Sequence, residues 1–86
     1  MKNLEIEIPE YSSEQGFRFS WEDDFVIETH VESNKIHLRA NESGLISLAK
    51  ILLTLSQPEV VGNYHVHLDE FNSLEDGSAE LIIEKI

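Results

Sequence analysis

The run HVHLD, His65 to Asp69, sets two histidines and an aspartate at alternate positions. Imidazole nitrogens and carboxylate oxygens are ligands for zinc or nickel, and two histidines two apart on a strand can chelate one ion. Side chains of an extended chain alternate between faces. His65, His67 and Asp69 therefore share one face, and Val66 and Leu68 the other. The spacing matches the opening of the metal motif in metallo-β-lactamase-like hydrolases. Those enzymes continue with another histidine, whereas Glu70 follows here, and 86 residues are too few for that fold. The run therefore reads as the solvated face of a strand, with a metal site at His65, His67 and Asp69 as the alternative. Histidines on such a face also respond to pH between about 5 and 8.

No other catalytic pattern is present. The chain has no cysteine, no GxSxG elbow and no glycine-rich phosphate loop. No catalytic residue and no cofactor is assigned.

Charge points elsewhere. Seventeen acidic residues stand against six basic ones, a formal net charge of −11. Nucleic-acid backbones are bound by basic patches, which argues against them as direct partners. A basic protein fits better, because opposite potentials steer association. Two segments combine acids with aromatic anchors: WEDDF, Trp21 to Phe25, and DEFNSLED, Asp69 to Asp76. In the first, Trp21 and Phe25 are expected in the core, with Glu22, Asp23 and Asp24 at a turn where they can also meet a partner. In the second, Phe71 and Leu74 lie in a loop, and apolar loop residues either fold back or bind something. Glu70, Phe71, Asn72, Leu74, Glu75 and Asp76 form the candidate contact loop.

The elements that position these residues follow from periodicity. Leu4, Ile6 and Ile8 alternate with Glu5 and Glu7, a half-buried strand closed by Pro9. Phe17, Phe19 and Trp21 alternate in a short second strand. Phe25 to Glu32 and Lys35 to Ala40 read as two strands around a Ser33-Asn34 turn, with Phe25, Ile27, Val31, Ile36 and Leu38 on the covered face. Their opposite faces carry His30 and His37, which are expected to share one open face with His65 and His67. Asn41 is placed to N-cap a helix, with Glu42 in its first turn. Leu45, Leu48, Ala49, Leu52 and Leu55, widened by Ile46 and Leu53, supply its core stripe, and Pro58 ends it. Tyr64 to Asp69 is a further strand. Ala79 to Ile86 is the last, and its apolar residues on both faces place it centrally. The expectation is one α+β domain over residues 1–86: a mostly antiparallel sheet of about five strands with one amphipathic helix on one face. No stretch approaches the roughly 18 apolar residues of a membrane span. The acidic, alternating N-terminus is unlike a signal peptide, and a cytoplasmic location is expected.

NESGLISLAKILLTL followed by HVHLDEFNSLEDGSAELIIEKI resembles the immunity protein 32 family of bacterial polymorphic toxin systems. The resemblance covers roughly Asn41 to Ile86, and its specific part is the block from His65 through Glu84, with HLDEFNSLEDGSAELIIE at its heart. It implies a cytoplasmic, non-enzymatic protein that binds and neutralises a cognate toxin, and the acidic composition suits a basic one. It carries no catalytic residue onto this chain. Two other classes stay open: a small metal-binding or regulatory domain using the histidines, and a structural or oligomerising domain that pairs through an exposed sheet edge.

Overall fold

A computed structural model describes residues 1–86. It contains four strands and one helix: β1 (Ile27–Glu32), β2 (Lys35–Ala40), α1 (Glu42–Leu55), β3 (His65–Leu68) and β4 (Leu81–Glu84). The α+β class is as expected, but the strands form two antiparallel pairs, β1–β2 and β3–β4, rather than one sheet of five. No helix is long and apolar enough to cross a membrane.

β1 and β2 are joined by the Ser33-Asn34 turn, where both residues have positive φ, 48° and 64°. Two successive positive-φ residues match the right-handed twist of a tight hairpin, and Asn tolerates that region best among non-glycine residues. The register pairs Ile27 with Ala40, Thr29 with Leu38 and Val31 with Ile36. The expected apolar face therefore forms, but only its base is covered. Ile27 and Thr29 are buried, whereas Val31, Ile36 and Leu38 are exposed.

Asn41 caps α1 as expected. Its side-chain oxygen accepts the Gly44 N–H at 2.8 Å and the Val26 N–H at 2.9 Å, tying the helix start to the strand before it. Gly44 is required there. A methyl at this position would overlap the Val26 carbonyl and press on Ile27 and Ala40 at 3.0 and 3.1 Å. The buried stripe differs from the expected one. It runs through Gly44, Ser47, Leu48, Ile51, Thr54 and Leu55, while Leu45, Ile46, Leu52 and Leu53 face outward. The reason is close approach. Small and hydroxylated residues face the hairpin and the N-terminal chain, and their polar atoms are used: Ser47 Oγ accepts the Glu22 N–H at 2.9 Å, and Thr54 Oγ1 donates to the Lys50 carbonyl at 2.6 Å.

The core joins Ile27, Leu48, Ile51, Val66, Leu68 and Leu74, flanked by Phe17, Trp21, Phe25, Tyr64, Leu81 and Ile83. The residues before β1 reach it without strands. Leu4–Ile8 forms none and makes no backbone hydrogen bond. The Phe17–Trp21 alternation forms no strand, and its rings meet one another instead, Phe17 edge-on to Phe19 and Phe19 stacked on Trp21. Six aromatic rings follow one another from Tyr11 through Tyr64, Phe17, Phe19 and Trp21 to Phe25, with centroids 4.5 to 5.8 Å apart. β4 is not central either: it pairs with β3 alone, and Ile82 on its outer face is exposed.

Candidate protein-binding site

The connection between β3 and β4 is built from its own side chains. Asp69 Oδ1 accepts the N–H groups of Phe71 and Asn72 at 2.9 and 3.1 Å, and its carbonyl accepts those of Ser73 and Leu74 at 3.0 and 2.8 Å. Asn72 reaches back. Its Oδ1 accepts the Asp69 N–H at 3.0 Å, and its Nδ2 donates to the His67 carbonyl at 3.0 Å. Glu70 Oε2 accepts the Gly77 N–H at 2.8 Å across the loop, and Gly77 takes the φ of +84° that lets the chain turn there. Short polar side chains bonding to nearby backbone amides are how Asp and Asn fix turns.

The loop is pinned at both ends. Leu74, only 4% exposed, is driven into the core, and the next residue donates its N–H to the Ile27 carbonyl at 2.9 Å. Ala79 N–H donates to the Thr29 carbonyl at 3.0 Å, Thr29 Oγ1 donates to the Ala79 carbonyl, and Ser78 Oγ accepts the Thr29 N–H at 3.2 Å. Residues 75–79 thus lie along the β1 edge that β2 leaves free. Within this frame Phe71 has no structural partner. It is 89% exposed, between the exposed acids Glu70 and Glu75–Asp76. Of four phenylalanines, two tyrosines and one tryptophan, it alone stands outside the chain of ring contacts.

The other candidates are dispersed. In WEDDF, Trp21 stacks on Phe25 at 4.5 Å and both pack on the core. Glu22 is held by Lys50 Nζ at 2.5 Å, while Asp23 and Asp24 are exposed. The four histidines do not share one face as expected. His30 sits opposite His37 in the first hairpin, and His65 and His67 lie on β3 with rings 4.9 Å apart. The physical cause is the split into two sheets. His67 Nδ1 lies 3.1 Å from Glu80 Oε2, and the Asp69 carboxylate is occupied by the loop amides. No group of three or more histidine, aspartate or glutamate side chains is arranged to hold a metal ion. The alternation of KIHLRA and the helix leucines point Ile36, Leu38, Leu45 and Leu52 to the core, whereas all four are exposed, leaving an apolar side of β2 and an outer helix face open.

Compared with known proteins, residues 35–86 match the family model described as immunity protein 32. The match spans residues 35–86 and so includes β2, the helix, both strands of the second pair and the whole candidate contact loop. No curated protein and no solved structure matches the chain.

Proposed function

The chain belongs to the immunity protein 32 family, and from that premise we propose that it binds a cognate bacterial protein toxin and neutralises it by occupying the toxin's working surface. The observation that carries this reading is Phe71, an aromatic side chain held out in water by a loop whose amides at Asp69, Phe71 to Glu75 and Gly77 are hydrogen-bonded. A pre-ordered aromatic anchor loses little freedom on binding, and such anchors dominate interface energies. The acids around it, Glu70, Glu75 and Asp76, suit a basic rim, and Asp23 and Asp24 add to the same sign of field. The net charge of −11 supports a basic toxin domain and speed of capture. On this reading the protein is a blocker rather than a catalyst, needs no cofactor, touches neither nucleic acid nor membrane directly, and acts in the cytoplasm of the cell it protects.

The test is binding to the toxin domain encoded beside it. Phe71→Ala is expected to weaken the complex by about 2 kcal/mol or more, roughly thirtyfold, while the unfolding midpoint stays put. The association rate of the unaltered protein is expected to fall steeply with salt as screening shortens to about 8 Å at physiological ionic strength. An unchanged affinity for the Phe71→Ala protein would remove the loop from the interface. A salt-independent rate would remove the electrostatic part.

A further inference from the structure

The N-terminal residues carry a strand pattern with no strand. Leu4, Ile6 and Ile8 alternate with Glu5 and Glu7, yet Leu4 is 79% exposed and the segment makes no hydrogen bond before Pro9. The chain is fixed only from there on, by Gln57, whose Nε2 donates to the Pro9 carbonyl at 2.9 Å and whose Oε1 accepts the Tyr11 N–H at 3.1 Å.

The opposite requirement exists at β2. This strand pairs with β1 on one edge and with nothing on the other. Asn41 N–H donates to the Val26 carbonyl, in register with the hairpin, so odd-numbered residues of β2 turn their backbone groups toward β1. By the alternation of an antiparallel ladder, Ile36 and Leu38 turn theirs outward, unpaired. Their side chains are open as well, Ile36 being 75% exposed. On the other face stand Lys35, His37 and Arg39, the last donating from Nη1 to Glu28 Oε1 across the hairpin while its side chain stays 69% exposed. Elsewhere Lys50 is held by Glu22, and Lys85 Nζ donates to the carbonyls of Gln57 and Val60 at 2.8 and 2.7 Å. Charges on an edge strand discourage indiscriminate pairing. They also select a strand of opposite sign.

We propose that residues Leu4–Ile8 of one molecule add as an antiparallel strand to the β2 edge of a second copy. With Leu4 opposite Ala40, Ile6 opposite Leu38 and Ile8 opposite Ile36, the apolar side chains cover the open part of the hairpin's apolar face. Glu5 then stands opposite Arg39 and Glu7 opposite His37, on the face that also carries Lys35. The added strand ends at Pro9, which stands opposite Lys35, the first residue of β2. A second copy is the occupant because this chain holds both halves of the match: an alternating acidic strand without an edge, and an edge without a strand that carries Lys35, His37 and Arg39. The exchange is independent of the toxin-binding reading and leaves Phe71 free.

The test is sedimentation velocity on the full chain over a dilution series, with far-UV circular dichroism as the control for folding. The unaltered protein is expected to form a dimer that dissociates on dilution. Ile6→Pro removes a donor from a segment that makes no bond within its own molecule, so the fold stays and the dimer is lost. Glu5→Lys with Glu7→Lys is the sharper variant. It lowers the net repulsion between copies, so it would tighten a dimer formed elsewhere. It is expected to weaken this one at least tenfold. A monomer at every concentration up to about 1 mM, where only marginal complexes remain undetected, would overturn the proposal. So would a dimer that survives Ile6→Pro. Hydrogen-exchange protection of residues 4–8 in a strict monomer would put the strand on its own molecule and overturn the exchange between copies.

Discussion

The N-terminal strap, Phe17 to Phe25, and the loop from Asp69 to Gly77 are alike in composition and opposite in construction. Both lack regular secondary structure, and both mix aromatics with acids. The strap turns its rings inward, where Phe17, Trp21 and Phe25 flank the core. Polar tethers to α1 fix it: the Glu22 N–H on Ser47 Oγ, and Lys50 on Glu22 and on Ser20 Oγ. The loop fixes its backbone with its own Asp69, Asn72 and Glu70, anchors through the Leu74 side chain and the Glu75 N–H on the Ile27 carbonyl, and leaves Phe71 in water. The difference lies in where the backbone amides find their partners. A segment tethered to the rest of the molecule has its side chains drawn into that contact. A segment that satisfies its own amides is free to present a side chain outward.

The sharpest way to break this contrast is to remove the central ring of the strap. Trp21→Ala deletes two stacked contacts, to Phe19 and Phe25 at 5.4 and 4.5 Å. Because Trp21 is partly buried, the expected loss is about 3 kcal/mol, the low end for large aromatic truncations, read as a drop in the denaturant midpoint. Toxin affinity of the folded fraction is expected to hold. Leu74→Ala should lower stability somewhat less, by about 2–3 kcal/mol. Unlike the strap variant, it is also expected to weaken toxin binding, because Leu74 is the loop's one side chain in the core.

The hairpin, the helix and its Asn41 cap were legible because each rests on a local rule: period two, period 3.6, or a side chain bonding to an amide three residues on. The β2 boundaries, Lys35 to Ala40, are those expected, and α1 begins directly after its cap. The helix's rotation was not legible. Hydrophobicity favours Leu45 and Leu52 over Ser47 and Thr54, but the close approach that buries the hydroxyls is a tertiary property. The same holds for Leu4–Ile8 and Phe17–Trp21, where alternation announces an extended chain without saying whether an edge exists for it to join. In the contact loop the family block marked the segment, and the special standing of Phe71 became visible only once Asp69, Asn72 and Leu74 had been given structural work.

Smaller changes sharpen the comparison within the loop. Asp69→Ala removes the acceptor for two amides and resembles the loss of a helix N-cap, about 1 kcal/mol. Its larger signature is expected in dynamics, with faster hydrogen exchange at Phe71 and Asn72 and a faster dissociation rate from the toxin. Unchanged exchange at those amides would mean that the carboxylate does not order the loop.

The smallest effect is expected at the acid of the strap. Glu22 is held by Lys50, whose side chain is mostly covered, but the pair sits at the rim of the core, where such ion pairs contribute at most about 1 kcal/mol. Glu22→Gln keeps the backbone N–H bond to Ser47 Oγ, and a neutral oxygen can still accept from Lys50. Stability is therefore expected to fall by less than about 1 kcal/mol. Toxin affinity should fall less than with Asp23→Asn or Asp24→Asn, because the carboxylate of Glu22 is already neutralised within the molecule whereas those two acids face solvent. If Glu22→Gln were to weaken toxin binding as much as Phe71→Ala, the strap and the loop would belong to one interface, and the contrast between a covering segment and a presenting one would fail.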